Sequence, residues 1–157
     1  MSNTIHFIGV GKMGLPMARH LIAKGCEVAV FDVAPAAADA AVKLGARRCA
    51  TARELAEQSE LILVVVGFDN EVLDVLRGAD GVFAGARPNA IIAVASTVLP
   101  DTMKTIAAEA GKLAKNISVL DIPMCRGEPA AEAGKILILA GGEAEAFARC
   151  RETLSAF

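Results

Sequence analysis

A chain of 157 residues can bury one sizeable core, and its 54% hydrophobic content sits slightly above the usual globular range of about 45–50%. A formal net charge of −2 gives no steering toward nucleic acid or an acidic membrane, and Arg47 and Arg48 are too few for a basic patch. The apolar excess lies in short runs at 61–66, 90–95 and 136–140, far below the roughly 18 residues of a membrane span; such runs suit strands buried on both faces of a parallel sheet.

The pattern alternates strand and helix along the whole chain. A strand is expected over residues 4–10, then a helix over 13–24 with Leu15, Ala18, Leu21 and Ile22 on one face, Pro16 in its first turn and Gly25 closing it. A strand over 27–32 precedes a helix over 35–44, with Pro35 at its start and Gly45 past its end. A short strand near 48–49 follows, and Thr51 with Glu54 forms a capping box that opens a third helix. A strand over 61–66 leads to a helix at 70–77 stopped by Gly78, then a strand over 90–95 and a helix from Pro100 to about Ala114. Strands at 118–121 and 135–140 and a helix over 143–156 complete the chain. Short strands alternating with helices imply right-handed βαβ units and an open parallel sheet. Ligands on such sheets bind beyond the carboxyl ends of the strands. That rim collects residues 9–14, Asp32, residues 66–70, Ser96 with Thr97, and residues 122–127.

Chemistry concentrates on the same rim. Gly9-Val10-Gly11-Lys12-Met13-Gly14 is a G-x-G-x-x-G segment between an expected strand and an expected helix. Its first glycine permits a tight turn, its second lets backbone approach a pyrophosphate, and its third lets helix and strand pack closely. Free N–H groups and the helix dipole then face the phosphates. Asp32 ends the second strand 18 residues after Gly14, where a carboxylate accepts both ribose hydroxyls of NAD and repels the extra phosphate of NADP; no Arg follows it in Asp32-Val33-Ala34-Pro35. A plain helix-capping Asp before Pro35 is the competing reading. The combined fingerprint predicts an α/β fold of the Rossmann kind, doubly wound with a mostly parallel sheet, and NAD preferred over NADP as cofactor.

Cys26, Cys49, Cys125 and Cys150 are widely spaced and form no C-x-x-C pair, so no metal site is expected. The first, second and fourth read as small reduced hydrophobes of a cytoplasmic protein. The N-terminus lacks the pattern of a signal peptide.

Ile8-Gly9-Val10-Gly11-Lys12-Met13-Gly14-Leu15-Pro16-Met17-Ala18 extends the glycine loop beyond the generic fingerprint and resembles the β-hydroxyacid dehydrogenases. Ser96-Thr97-Val98-Leu99-Pro100 looks like that family's S-T-x-x-P segment beside the nicotinamide. Asp121-Ile122-Pro123-Met124-Cys125-Arg126-Gly127, with Ala130, Ala131 and Gly134 after it, looks like its substrate motif D-A-P-V-S-G-G-x-x-G-A-x-x-G. The resemblance implies cofactor contacts from Gly9, Gly11, Lys12, Met13, Gly14, Asp32, Val33, Val66, Gly67 and Thr97. It implies substrate contacts from Ser96, Cys125, Arg126 and Gly127, with a small hydroxy acid as substrate.

Two positions depart from the family pattern: Cys125 stands where a Ser is usual and Arg126 where a Gly is usual. A thiol is a weaker donor, while a guanidinium grips a carboxylate in a bidentate pair. Either Arg126 anchors the acid, or it faces solvent and Cys125 merely packs. Cys125 as a nucleophile lacks a base, since His6 and His20 lie outside the rim segments. The family's general acid/base is a Lys with an Asn one helical turn later, on a helix beyond this domain. No K-x-x-N substitute lies on the rim, so no catalytic residue is expected in this chain. Residues 1–157 then read as one cofactor domain without the family's second, all-helical domain. The expected activity belongs to a longer, homo-oligomeric, NAD-dependent 3-hydroxyacid dehydrogenase. An exposed apolar patch is expected near residues 100–113 and on the last helix, where the missing domain would sit. A stand-alone nucleotide-binding module and an imine-reductase-like cofactor domain are the alternatives.

Overall fold

The computed structural model describes residues 4–157. Six parallel strands, β1 (Thr4–Ile8), β2 (Glu27–Phe31), β3 (Arg47–Arg48), β4 (Leu61–Val64), β5 (Ile91–Val94) and β6 (Ser118–Asp121), form one sheet in the order β3-β2-β1-β4-β5-β6. That order reverses between β1 and β4, and the crevice at such a reversal is where these sheets take ligands. β4 and β5 are buried at every residue, which is why their sequences are unbroken aliphatic runs.

Alternation along the strands divides the core. Ile5, Phe7, Leu61, Leu63, Ile91 and Ala93 face one side, where α1 (Gly14–Ala23) and α8 (Ala144–Leu154) cover them. Ile8, Ile62, Val64, Ile92 and Val94 face the other, under α3 (Ala52–Ala56), α4 (Asp69–Leu76), α5 (Val82–Gly85) and α6 (Pro100–Gly111). Each large aliphatic buried here contributes on the order of 1.5–3 kcal/mol. α2 (Pro35–Lys43) follows β2 and buries Ala38 and Ala41. His6 is the exception on the second face: it is fully buried, and neither ring nitrogen finds a hydrogen-bond partner among the described residues. Burial, with the nearby Arg47 charge as a lesser cause, lowers its pKa to about 4.

The elements depart from the sequence expectations in identifiable ways. α6 ends at Gly111 rather than near Ala114, whose φ of 49° already breaks the helix. In the capping box, Thr51 Oγ1 accepts the Glu54 N–H, but the Glu54 carboxylate reaches back to the Ala50 N–H instead of Thr51. The short turn α5 and the helix α7 (Gly127–Ala133) were not anticipated.

The largest correction concerns residues 135–140. They do not add a buried strand to the parallel sheet. Only β8 (Leu137–Ile138) is extended, paired antiparallel with β7 (Met124–Cys125) in a separate ribbon. Gly134 in the left-handed region and Gly141 with Gly142 bracket the segment, and Leu137 and Leu139 lie exposed. The expected apolar patch is likewise relocated. α8 turns Ala146, Cys150 and Leu154 inward, and Phe157 closes edge-on over Phe7 at a centroid distance of 6.4 Å. The exposed large apolar side chains near the rim are Val33, Phe68, Leu99, Leu137 and Leu139. No helix among the described residues is long and apolar enough to cross a membrane.

Candidate functional site

The glycine loop joins β1 to α1, and its three glycines have distinct surroundings. Gly9 holds φ +88°, and a Cβ there would collide with the Val65 carbonyl oxygen. A Cβ on Gly14 would collide with the Gly9 carbonyl oxygen. A Cβ on Gly11 meets nothing within 4 Å, so the fold itself does not require that glycine. The N–H groups of Gly11, Lys12 and Met13 find no acceptor among the described residues, and no side chain caps α1. Those free donors, at the positive end of the helix, suit a phosphate.

Asp32 follows β2 directly. Its Oδ2 accepts the Val10 N–H at 2.8 Å and its Oδ1 accepts the Ala34 N–H at 2.8 Å. One carboxylate therefore fixes the glycine loop and also performs the turn-capping role before Pro35. Each oxygen keeps a second lone pair for a ligand hydroxyl.

Two cavities flank the loop and share Gly11, Val65, Val66 and Gly67 as a wall. The first, about 360 Å³, is lined by Phe31, Asp32, Val33, Glu71, Asp74 and Val75 besides the shared residues and the start of the loop. Its charged lining residues, Asp32, Glu71 and Asp74, are all acidic. Glu71 also accepts the Gly67 N–H at 2.7 Å, which holds the turn after β4. The second cavity, about 400 Å³, is lined by Lys12, Met13, Ala95, Ser96, Thr97, Met124 and Gly127 beyond the shared wall.

Of the fourteen residues singled out from the sequence, the structure brings Gly9, Gly11, Asp32, Val33, Val66 and Gly67 to the first cavity. Lys12, Met13, Ser96, Thr97 and Gly127 line the second, and Gly14 stands behind the loop as a packing residue. Ser96 is nearly buried, and its Oγ accepts the Val66 N–H at 2.9 Å, tying two rim loops together. Cys125 and Arg126 line neither cavity. Arg126 sits at φ +78°, the conformation a glycine adopts freely, and its guanidinium turns to the Lys135 carbonyl at 3.4 Å. Lys12 reaches toward Glu128 at 4.0 Å, an exposed pair of little energetic weight. No cluster of three metal-ligating side chains exists among the described residues.

Sequence reasoning missed Glu71, Asp74 and Asp69. Asp69 accepts the Leu99 N–H at 2.9 Å and the Thr102 hydroxyl, so it pins the loop after β4 to the start of α6, and these bonds hold its carboxyl below the usual range. Asp69 and Glu71 open a helix, so in the sequence they read as ordinary first-turn acids.

A parallel sheet with this strand order, a glycine loop with free N–H groups at its reversal point, and a carboxylate at the next strand end together define a dinucleotide-binding α/β domain. The family pattern described as the NAD binding domain of 6-phosphogluconate dehydrogenase matches residues 4–157, and the chain belongs to that family. It is 35% identical over 150 residues to 3-hydroxyisobutyrate dehydrogenase of Pseudomonas aeruginosa, covering 96% of this chain and 50% of that protein. The solved structure of the Mycobacterium tuberculosis 3-hydroxyisobutyrate dehydrogenase with L-serine superposes with a TM-score of 0.91 at 28% identity, over 99% of this chain and 52% of that one. A structure of Psf3 in complex with NADP+ and 2-OPP gives a TM-score of 0.91 at 25% identity, over 98% and 54%. The chain thus spans about half the length of the relatives it matches, and it is an NAD-binding domain of the kind such oxidoreductases carry.

Proposed function

We propose that residues 1–157 form one cofactor domain that prefers NAD to NADP and serves an oxidoreductase acting on a small 3-hydroxy acid. The observation that carries the cofactor preference is the lining of the first cavity, whose charged side chains Asp32, Glu71 and Asp74 are all carboxylates. A 2′-phosphate placed there meets repulsion of about 1 kcal/mol per close pair in water and up to about 4 kcal/mol near a protein surface. A ribose with free hydroxyls meets acceptors instead.

In this reading the loop N–H groups of residues 11–13 and the α1 terminus hold the pyrophosphate, Asp32 accepts the ribose hydroxyls, and exposed Val33 covers the adenine. Gly9 and Gly14 keep the loop tight, Val66 and Gly67 form the shared wall, and Thr97 borders the nicotinamide end. Bound there, the nicotinamide supplies a hydride acceptor or donor. Ser96, with its hydroxyl proton free, Met124 and Gly127 form the near wall of the substrate pocket, and Cys125 and Arg126 stand behind it. The geometry favours backbone and Gly127 there over the Arg126 guanidinium, which is turned away.

Proton transfer is assigned to no residue of this chain. The cavity's one lining lysine, Lys12, belongs to the phosphate loop. The chain alone is then a binder without turnover, and the activity arises in a longer, oligomeric protein that covers Phe68, Leu99, Leu137 and Leu139. Four free cysteines accord with a reducing, cytoplasmic setting. Calorimetric titration tests the cofactor claim: NAD binding at least about tenfold tighter than NADP is expected, and equal or tighter NADP binding refutes it. An activity assay with 3-hydroxyisobutyrate or glycerate and NAD tests the rest, since turnover by residues 1–157 alone contradicts it.

A further inference from the structure

The resemblance placed Gly134 at the end of the substrate motif, and none of the roles above uses it. It lies just beyond α7, at φ +65°, and lines neither cavity. A Cβ on it would stand 3.2–3.4 Å from Cε1, Nε2 and Nδ1 of His20, so the glycine leaves room for that ring. His20 belongs to α1, the helix that begins at the phosphate loop.

The ring does more than fill space. His20 Nε2 lies 3.0 Å from the Ala131 carbonyl oxygen and 3.1 Å from that of Glu132. Carbonyls only accept, so Nε2 carries the proton and donates to both. Beside it, Arg19 Nη2 donates to the same Glu132 carbonyl at 2.9 Å and pairs with the Glu132 carboxylate at 2.8 Å. These are last-turn carbonyls of α7, and that of Ala131 also accepts the Gly134 N–H at 3.2 Å.

α7 has little else to hold it. Its buried residues are two alanines, Ala130 and Ala131, and its main packing partner is α1. Positive-φ residues stand at both of its ends, Arg126 before it and Gly127 as its first residue, and Gly134 after it. Hydrogen bonds from His20 and Arg19 therefore hold α7 alongside the burial of two alanines. The N-termini of both helices open on the same cavity, through Lys12 and Met13 on one side and Gly127 on the other.

We propose that His20, seated on Gly134, is a positioning residue that ties the substrate segment to the phosphate loop, so that a dinucleotide bound at the loop also orders α7. The proposal rests on the reading of residues 9–14 as the pyrophosphate site and of the turn before α7 as a substrate wall. A ligand that stiffens the start of α1 stiffens α7 through the clamp, and the substrate wall is set only once cofactor is bound.

Hydrogen exchange on the 157-residue chain, with and without NADH, tests this directly. The readout is residues 130–134, at the end of α7 away from the cavity. In the wild type, NADH is expected to slow exchange both at residues 9–17 and at 130–134, the latter about fivefold. His20→Ala keeps the first effect and loses the second. Gly134→Ala does the same, because its Cβ displaces the ring, and combining the two adds nothing further. His20→Gln, which restores an N–H donor of similar reach, restores the effect at 130–134. If NADH still protects 130–134 in His20→Ala and Gly134→Ala, the ring is merely structural and the clamp is refuted while the cofactor site stands. If NADH leaves residues 9–17 of the wild type unprotected, the clamp and the cofactor reading both fall.

Discussion

The two cavities beside the glycine loop are built by different means. The acidic one is walled by the ends of buried strands and by loops whose N–H groups are already tied: Val10 and Ala34 to Asp32, Gly67 to Glu71. The other shares Val65–Gly67 but is closed on its far side by a two-residue ribbon and by α7, both bracketed by left-handed residues and edged by exposed Leu137 and Leu139. A ligand wall held by the sheet comes with the fold. A wall held by a short ribbon depends on whatever packs against it. On the proposed reading, the cofactor side rests on the sheet itself, whereas the substrate side rests on a ribbon and a short helix.

The sharpest way to break that comparison is Gly11→Val. The site has room for a side chain in the free protein, so the thermal midpoint should hold while NADH affinity falls on the order of 100-fold, about 3 kcal/mol, as the branched chain fills the pyrophosphate path. Unchanged NADH fluorescence enhancement in the folded variant would count against the loop. The scaffold beneath both cavities is probed by acid. His6 is held neutral, with a folded pKa of about 4 against 6.5 when unfolded. Its contribution is intact above pH 6.5 and lost progressively as pH falls toward 4, up to about 3 kcal/mol. His6→Leu should flatten that part of a denaturation series, and an unaltered pH profile would show that another group governs it.

Asp32→Ala sharpens the comparison on the cofactor side alone. It frees the Val10 and Ala34 N–H groups and removes one of three carboxylates, so NAD binding should weaken about tenfold and the gap to NADP should narrow. A gap that widens in calorimetry would be inconsistent with the ribose role. Arg126→Gly touches only the substrate side. Relief of the left-handed backbone should stabilise the chain by about 0.5–1 kcal/mol, with NADH affinity unchanged. A destabilised variant would mean that the Lys135 contact outweighs the strain.

Legibility in the sequence followed the same division. Runs such as residues 61–64 and 91–94 announce buried parallel strands because both of their faces need apolar cover. Gly9, Gly14 and Asp32 were readable because backbone geometry and charge admit few other residues there, and Gly11 from the spacing of the motif alone. Residues 135–140 misled, since an apolar run reads the same whether it enters a sheet or lies on a ribbon awaiting a partner surface. α7 was hidden by Gly127, Pro129 and Gly134, residues that punctuate loops and equally bound a short helix. The acidic lining from Glu71 and Asp74 was invisible, because acids on a helix are common, Glu71 in its first turn and Asp74 further along, and only the tertiary fold brings them beside Asp32. Nothing in the sequence showed that Arg126 would turn from the cavity; its conformation follows from a position that asks for glycine.

Amide chemical-shift mapping of the chain on titration with NADH puts the central claim to the most direct test. The account predicts one saturable site, with shifts concentrated at Gly9, Gly11, Lys12, Met13 and Gly14, at Asp32 and Val33, at Val66 and Gly67, and at Ser96 and Thr97. Saturation without shifts in the glycine loop, or shifts centred elsewhere on the sheet, would contradict it.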